Sequence, residues 1–154
     1  MKLKRGDIKM KIEEQVLSIE QMKHLQELGV DMSDASMVWI KQDSTLLPDN
    51  IKELWWVDTY HDSLKPMVEQ EDSGFVQTYT IGDLLEKLPK NINSLNYTRL
   101  VIEGIENSHW WLAYKDLYDY AESGYFNSKS LLTTLYDLLC WVAENHKELL
   151  EGKK

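Results

Sequence analysis

The sequence has 154 residues, of which 43% are hydrophobic and 28% charged, with 7 Gly and 3 Pro. This composition is that of a folded globular domain, and it excludes a disordered, collagen-like or low-complexity chain. No apolar run approaches the roughly 18 residues that a membrane span needs, so we expect no membrane association. The single cysteine, Cys140, cannot form an internal disulfide, which fits a reducing, cytoplasmic compartment.

Positive charge is concentrated at the start of the chain. Residues 1–11 contain five basic side chains and one acid, so residues 12–154 carry 12 basic and 25 acidic side chains, a net charge of −13. Nucleic-acid affinity comes largely from Lys and Arg, so we predict no direct nucleic-acid binding. We interpret residues 1–11 as a solvated basic extension, for which Met10 offers an alternative translation start, and residues 12–154 as a single domain. A nucleic-acid or membrane-binding arm is the less favoured interpretation of the extension.

The first half of the domain predicts a short helix followed by short strands. Ser18 and Gln21 have the spacing of a capping box, and apolar residues then recur at every third position. Gly29 supplies the left-handed stop that commonly ends a helix. Two β-prone segments follow, at residues 36–40 and 54–57.

An acidic stretch separates these strands from the next elements. Residues 53–72 contain six acids and one lysine, and Pro66 discourages regular structure there, so we expect a long surface loop. Residues 75–79 have strand composition. Thr80 then caps a predicted amphipathic helix that Pro89 ends.

The second half predicts a hairpin and a long helix. Residues 97–105 and 109–114 have strand composition and are joined by a three-residue turn. The last helix is expected to begin near Asn127 or Ser128 and to run to about Leu150. Together, the elements predict an α+β fold, a mainly antiparallel sheet packed by three helices that include the long C-terminal one.

No motif for catalysis is present in the sequence. The four histidines lie at His24, His61, His109 and His146, without the spacing of metal ligands, and we expect no metal. On the predicted helix Cys140 and His146 lie about 240° apart, so we interpret Cys140 as a core residue rather than a nucleophile. Neither a nucleophilic serine elbow nor a phosphate-binding loop occurs. We therefore predict no catalytic residue and no cofactor.

The aromatic residues are the unusual feature. Two tryptophan pairs lie in predicted strands, where neighbouring side chains point to opposite faces, so one member of each pair should face away from the primary core. That member lies either under a second layer of helices or on a partner surface, where Trp and Tyr supply most of the binding energy. The candidate partner-binding residues are Trp55, Trp56, Trp110, Trp111, Tyr114 and Tyr118.

Four segments, at residues 25–31, 34–39, 79–89 and 130–145, resemble a family of small uncharacterised proteins carried by prophages and other mobile elements of gut bacteria. The resemblance covers about residues 15–150. It implies a bacterial cytoplasmic setting and an accessory role in a mobile element, and it transfers no catalytic residue.

These observations favour a non-enzymatic protein that binds another protein, or itself, through its aromatic strands. One alternative is an acidic inhibitor that mimics nucleic acid and occupies a host DNA-binding protein. A second alternative is a small enzyme whose site is assembled from distant loops, for example His61 or His109 with a carboxylate, which a motif search does not detect.

Overall fold

The computed structural model describes residues 11–92, 98–106 and 109–151, so residues 1–10 of the predicted extension lie outside the described part of the chain. The described residues form four α-helices, α1 to α4, at Ile19–Glu27, Lys65–Glu69, Ile81–Lys87 and Leu131–Asn145. They form six strands, β1 to β6, at Met37–Lys41, Trp55–Thr59, Phe75–Thr78, Thr98–Ile105, His109–Asp116 and Glu122–Ser128. The predicted α+β fold with antiparallel strands and a C-terminal helix is confirmed.

The strands form two three-stranded antiparallel sheets, ordered β2–β1–β3 and β4–β5–β6. In the first sheet Trp39 of β1 lies opposite Val57 of β2 and Val76 of β3. The second sheet is a meander, with β5 at its centre and a bulge in its pairing with β6 between Leu112 and Tyr114. The predicted hairpin is therefore confirmed as the antiparallel pair β4–β5, while two of its predicted turn residues, 107–108, lie outside the described residues.

Local sequence determines where α1 and α3 begin. The Gln21 N–H donates to Ser18 Oγ at 3.1 Å, and the Ser18 N–H donates to Gln21 Oε1 at 2.9 Å. Thr80 and Asp83 make the same reciprocal pair of bonds at the start of α3. Gly29 follows α1 with φ +83°, a conformation that glycine adopts without a steric penalty. Both predicted caps and the glycine stop are confirmed.

A layer of helices joins the two sheets. Helix α1 packs on β3, α3 packs on α4, and α4 packs on β5 and β6. Buried side chains from these elements form one hydrophobic cluster, which includes Met22 of α1, Leu84 of α3, Leu138 of α4 and Leu112 of β5. All four are fully buried. Each such side chain contributes about 1.5–3 kcal/mol relative to an exposed position, so this cluster is the main link between the sheets.

The segment before α1 is bonded to the first sheet. The Leu17 carbonyl accepts hydrogen bonds from Trp39 Nε1 at 2.8 Å and from Thr78 Oγ1 at 2.7 Å. The Leu17 N–H donates to the Tyr79 carbonyl at 3.0 Å, and Val16 forms an isolated bridge with Thr80. The start of the domain is thereby held against both β1 and β3.

A polar cluster connects the loop after α1 to α3. It consists of Asp31, Asp34, Tyr79 and Lys87. Tyr79 Oη lies 2.7 Å from Asp34 Oδ1 and 2.8 Å from the Asp31 carbonyl oxygen. Lys87 Nζ donates to the same carbonyl at 2.7 Å and to Asp34 Oδ2 at 3.0 Å. The Lys87 side chain is only 10% exposed, so its charge is balanced by Asp34 within the cluster.

The acidic stretch predicted as one long loop contains regular structure. Strand β2 continues to Thr59, and Lys65–Glu69 forms the short helix α2. Pro66 lies in the first turn of α2. Proline is compatible with that position, because the first N–H groups of a helix have no intrahelical partner.

The C-terminal helix begins later than predicted. The expected start at Asn127 or Ser128 lies in β6. Ser130 is the N-cap, its Oγ accepting from the N–H of Thr133 at 3.1 Å. Helix α4 ends at Asn145, and the remainder of the predicted helix is a separate 3₁₀ turn. Asn127 and Ser128 are of residue types that cap helices, but pairing with β5 holds them in a strand and Ser130 is the cap.

Candidate interaction surface

The second sheet has one covered face and one open face. Leu112 and Tyr114 of β5 are fully buried and belong to the hydrophobic cluster that contains α4. Side chains alternate along a strand, so Trp111 points to the opposite face. Within the described part of the chain, the main helical contacts of this sheet come from α4. Among the described elements, the face that carries Trp111 therefore has no comparable helical layer over it.

This open face, defined here by Val101, Ile105, Trp111 and Tyr125, presents a preformed aromatic pair. The ring centres of Trp111 and Tyr125 lie 5.8 Å apart at an interplanar angle of 55°. Asn127 Nδ2 donates to Tyr125 Oη at 2.5 Å, which orients the phenol. Tyr125 is 49% exposed and Ile105 is 47% exposed. The face is thus partly solvated, and contacts within and between neighbouring strands hold its aromatic pair in place.

Trp110 is exposed at the end of the β4–β5 hairpin. It lies opposite Gly104, where an added Cβ would make only an ordinary van der Waals contact with Trp110 Cζ3, at 4.0 Å. Trp110 and Ile102 are each 36% exposed. Trp110 and Trp111 are neighbours in β5, and both indoles retain some contact with solvent.

The first tryptophan pair belongs to the other sheet. Trp56 of β2 is 37% exposed and lies opposite Ile40. Trp55 is partly buried, and Lys41 Nζ lies 5.9 Å from its ring centre. Lys41 also pairs with Glu53 at 3.1 Å, so Trp55 belongs to a local charged cluster. The two tryptophan pairs therefore lie in different sheets and do not form one surface of a single sheet.

Tyr114 is a core residue, which corrects its predicted place on the partner surface. Its side chain is fully buried, its Oη donates to the Pro89 carbonyl at 2.6 Å, and its ring stacks on Trp141. Burial raises the pKa of Tyr114 well above its ordinary value. Tyr114 points inward because it shares a face of β5 with Leu112, which packs in the same hydrophobic cluster. Tyr118, by contrast, is 73% exposed in the connection between β5 and β6.

Cys140 is partly buried on α4 and packs against the hydrophobic cluster. Burial, with smaller contributions from Asp137 and Glu144, raises the pKa of the Cys140 thiol to about 11. A nucleophilic cysteine requires the opposite shift, toward a thiolate at neutral pH. The environment of Cys140 therefore opposes nucleophilic chemistry.

The structure also bears on metal binding and on membrane insertion. Among residues 11–92, 98–106 and 109–151, no group of three His, Cys, Asp or Glu side chains is placed to hold a metal ion. The same residues include no helix with the length and apolar character needed to cross a membrane. His61 follows β2 of the first sheet and His109 begins β5 of the second, so the two histidines of the predicted enzyme alternative lie in different parts of the fold.

Comparisons with protein-family models, curated proteins and solved structures gave no match to this chain. The functional interpretation therefore depends on the geometry of its own surfaces.

Proposed function

We propose that this protein is a non-enzymatic interaction module that binds a partner protein, or a second copy of itself, through the open face of the second sheet. The observation that carries the proposal is the contact between Trp111 and Tyr125 on a face opposite α4. Aromatic side chains that are already ordered lose little conformational entropy on binding. Such residues dominate the energetics of protein interfaces.

The charge of the chain favours a partner with basic groups around its contact surface. Residues 12–154 carry a net charge of −13, and Glu103 of β4 lies opposite Trp111 in the open face. Complementary charge at the rim of an interface speeds association and excludes competing partners. We expect apolar contacts to Trp111 and Tyr125 at the centre, with acidic side chains of this protein around them.

We further propose a setting in the bacterial cytoplasm, as an accessory protein of a mobile element. The four segments that resemble prophage-carried proteins support this setting. The single cysteine is compatible with a reducing compartment.

Capture of partners by matched variants tests the proposed surface. Tagged wild type, Trp111→Ala and Trp56→Ala would be used to capture proteins from a bacterial lysate, and native mass spectrometry would report self-association. Trp56→Ala is the matched control, because it removes an indole from the first sheet, outside the open face. We expect Trp111→Ala to lose the partner or the self-association while Trp56→Ala keeps it.

Tyr125→Ser provides a second test, because Tyr125 is more exposed than Trp111 and its replacement leaves the core intact. Circular dichroism would establish that each variant is folded. If folded Trp111→Ala and Tyr125→Ser both retain full binding, the open face is not the interaction surface. Capture of a DNA-handling enzyme that survives both substitutions and weakens steeply with salt would favour nucleic-acid mimicry instead.

A further inference from the structure

A cleft of about 240 Å³ opens between α1, β6 and α4. Aromatic rings and carboxylates make up most of its lining, contributed by His24, Phe126, Tyr136, Trp141, Asp137 and Glu144, and the Cys140 thiol completes it. Among the described residues that line it, none is a Lys or Arg. Phe126 and Tyr125 alternate along β6, so the cleft lies on the side of the sheet opposite the open face.

The aromatic walls are held by packing. The His24 and Tyr136 rings meet edge to face with centres 6.3 Å apart, linking α1 to α4. Trp141 is stacked on Tyr114, with ring centres 6.2 Å apart. Aromatic rings attract organic cations through their electron-rich faces, and sites built from several rings bind alkylated ammonium groups.

The two carboxylates lie on one side of α4. Asp137 and Glu144 are seven residues apart, two turns of helix, with Cys140 between them. Burial raises the pKa of Asp137, so its ionised form is incompletely solvated. Among the ion pairs found within the described residues, none involves Asp137 or Glu144. A bound cation would compensate for this lost solvation.

We propose that this cleft binds a small alkylammonium cation. The carboxylates attract the positive charge, and the rings contact the alkyl groups. Its volume suits a group of a few carbon atoms better than a drug-sized molecule, since pockets for the latter span about 300–1,000 Å³. The proposal is independent of the open face, because the two sites share no lining residue.

Tetramethylammonium is the probe, with tert-butanol as a neutral molecule of similar size. Binding to the full chain would be followed by NMR, using the side-chain signals of Tyr136 and Trp141. We expect tetramethylammonium to shift these signals in a saturable manner and tert-butanol to leave them unchanged. Equal effects of the two probes would overturn the proposal, because recognition would then not depend on charge.

Charge-removing variants give the second test. Asp137→Asn and Glu144→Gln should each weaken tetramethylammonium binding about fivefold, as expected for one partly solvated charge interaction. Glu151→Gln, which removes one exposed negative charge outside the cleft, should leave the affinity within about twofold. The proposal fails if Glu151→Gln weakens binding as much as Glu144→Gln does, or if both cleft variants bind like wild type.

Discussion

Tyr79 belongs both to the hydrophobic cluster and to the polar cluster beside it. Its side chain is fully buried, yet its hydroxyl lies within hydrogen-bond distance of Asp31 and Asp34. Burial, followed by the bond to Asp34, raises the pKa of Tyr79 far above its ordinary value, so the phenol remains a protonated donor. A single side chain therefore connects the loop after α1 to the core.

Tyr79→Phe should lower the free energy of unfolding by about 1–2 kcal/mol, because the hydrogen bonds of the hydroxyl to Asp31 and Asp34 are lost while the ring stays in place. Urea unfolding measures the change. Tyr120→Phe is the matched control, since Tyr120 is 69% exposed and its ring contact with Lys115 survives the substitution. An equal effect of the two substitutions would contradict a structural role for the Tyr79 hydroxyl.

At the scale of elements, β6 is a strand that forms through its pairing with β5, although the sequence of β6 does not favour a strand. Gly124 adopts φ +62° in this strand, close to the bulge in the pairing with β5. The Trp141 ring packs directly against Gly124. An added Cβ would lie 2.7 Å from Trp141 Cε3, which is too close for two carbon atoms. Glycine is therefore required at position 124 both for the positive φ and for the close approach of the Trp141 ring.

Gly124→Ala should destabilise the protein by about 1–3 kcal/mol, through overpacking against Trp141 and a strained left-handed backbone. Gly82→Ala is the control, because Gly82 lies in α3 and an added Cβ would meet only Thr80 Oγ1, at 3.6 Å. In a helix this change should be neutral or stabilising by up to about 1 kcal/mol. Thermal unfolding measures the stability of both variants. If Gly124→Ala is as stable as Gly82→Ala, then neither strain nor overpacking at position 124 is significant.

These elements also show which parts of the fold were predictable. The caps at Ser18 and Thr80 depend on residues three positions apart, so the sequence specifies them directly. Strand β6 depends on pairing with β5, and its Ser, Gly and Asn residues have low strand propensity. Pro66 was read as a helix breaker, although the first turn of a helix accepts proline.

The candidate sites, too, combine features that the local sequence predicts with features that depend on tertiary packing. Alternation of Trp110 and Trp111 follows from strand geometry, but which face is covered depends on where α4 packs, and Tyr114 was misplaced for that reason. The cleft joins α1, β6 and α4, which are distant in sequence. The spacing of Asp137, Cys140 and Glu144 is the one signal for it that the sequence contains.

At the scale of the whole molecule, the helical layer makes the two sheets depend on each other. Helix α4 contacts both α3 and the second sheet, and α1 contacts the first sheet. One hydrophobic cluster runs through these elements. We therefore expect the two sheets to unfold in one cooperative transition.

Leu138→Ala, in the middle of α4, should lower the free energy of unfolding by about 2–5 kcal/mol, since it leaves a cavity in the shared cluster. Amide hydrogen exchange should show matched loss of protection in β1 and β5. Leu46→Ala, at a position 71% exposed, serves as the control and should change neither. Loss of protection confined to β5 would mean that the sheets unfold as separate units.

The attachment of Leu17 to the first sheet has a consequence for the kinetics of folding. The bond from Thr78 Oγ1 to the Leu17 carbonyl joins residues 61 positions apart, whereas the strands of the second sheet pair in chain order. Closing a long loop costs entropy before its contacts can stabilise it, and local pairings form faster. We expect the carboxyl-terminal meander to form early and the amino-terminal sheet to close late, so that the chain assembles in the reverse of the order in which a ribosome releases it.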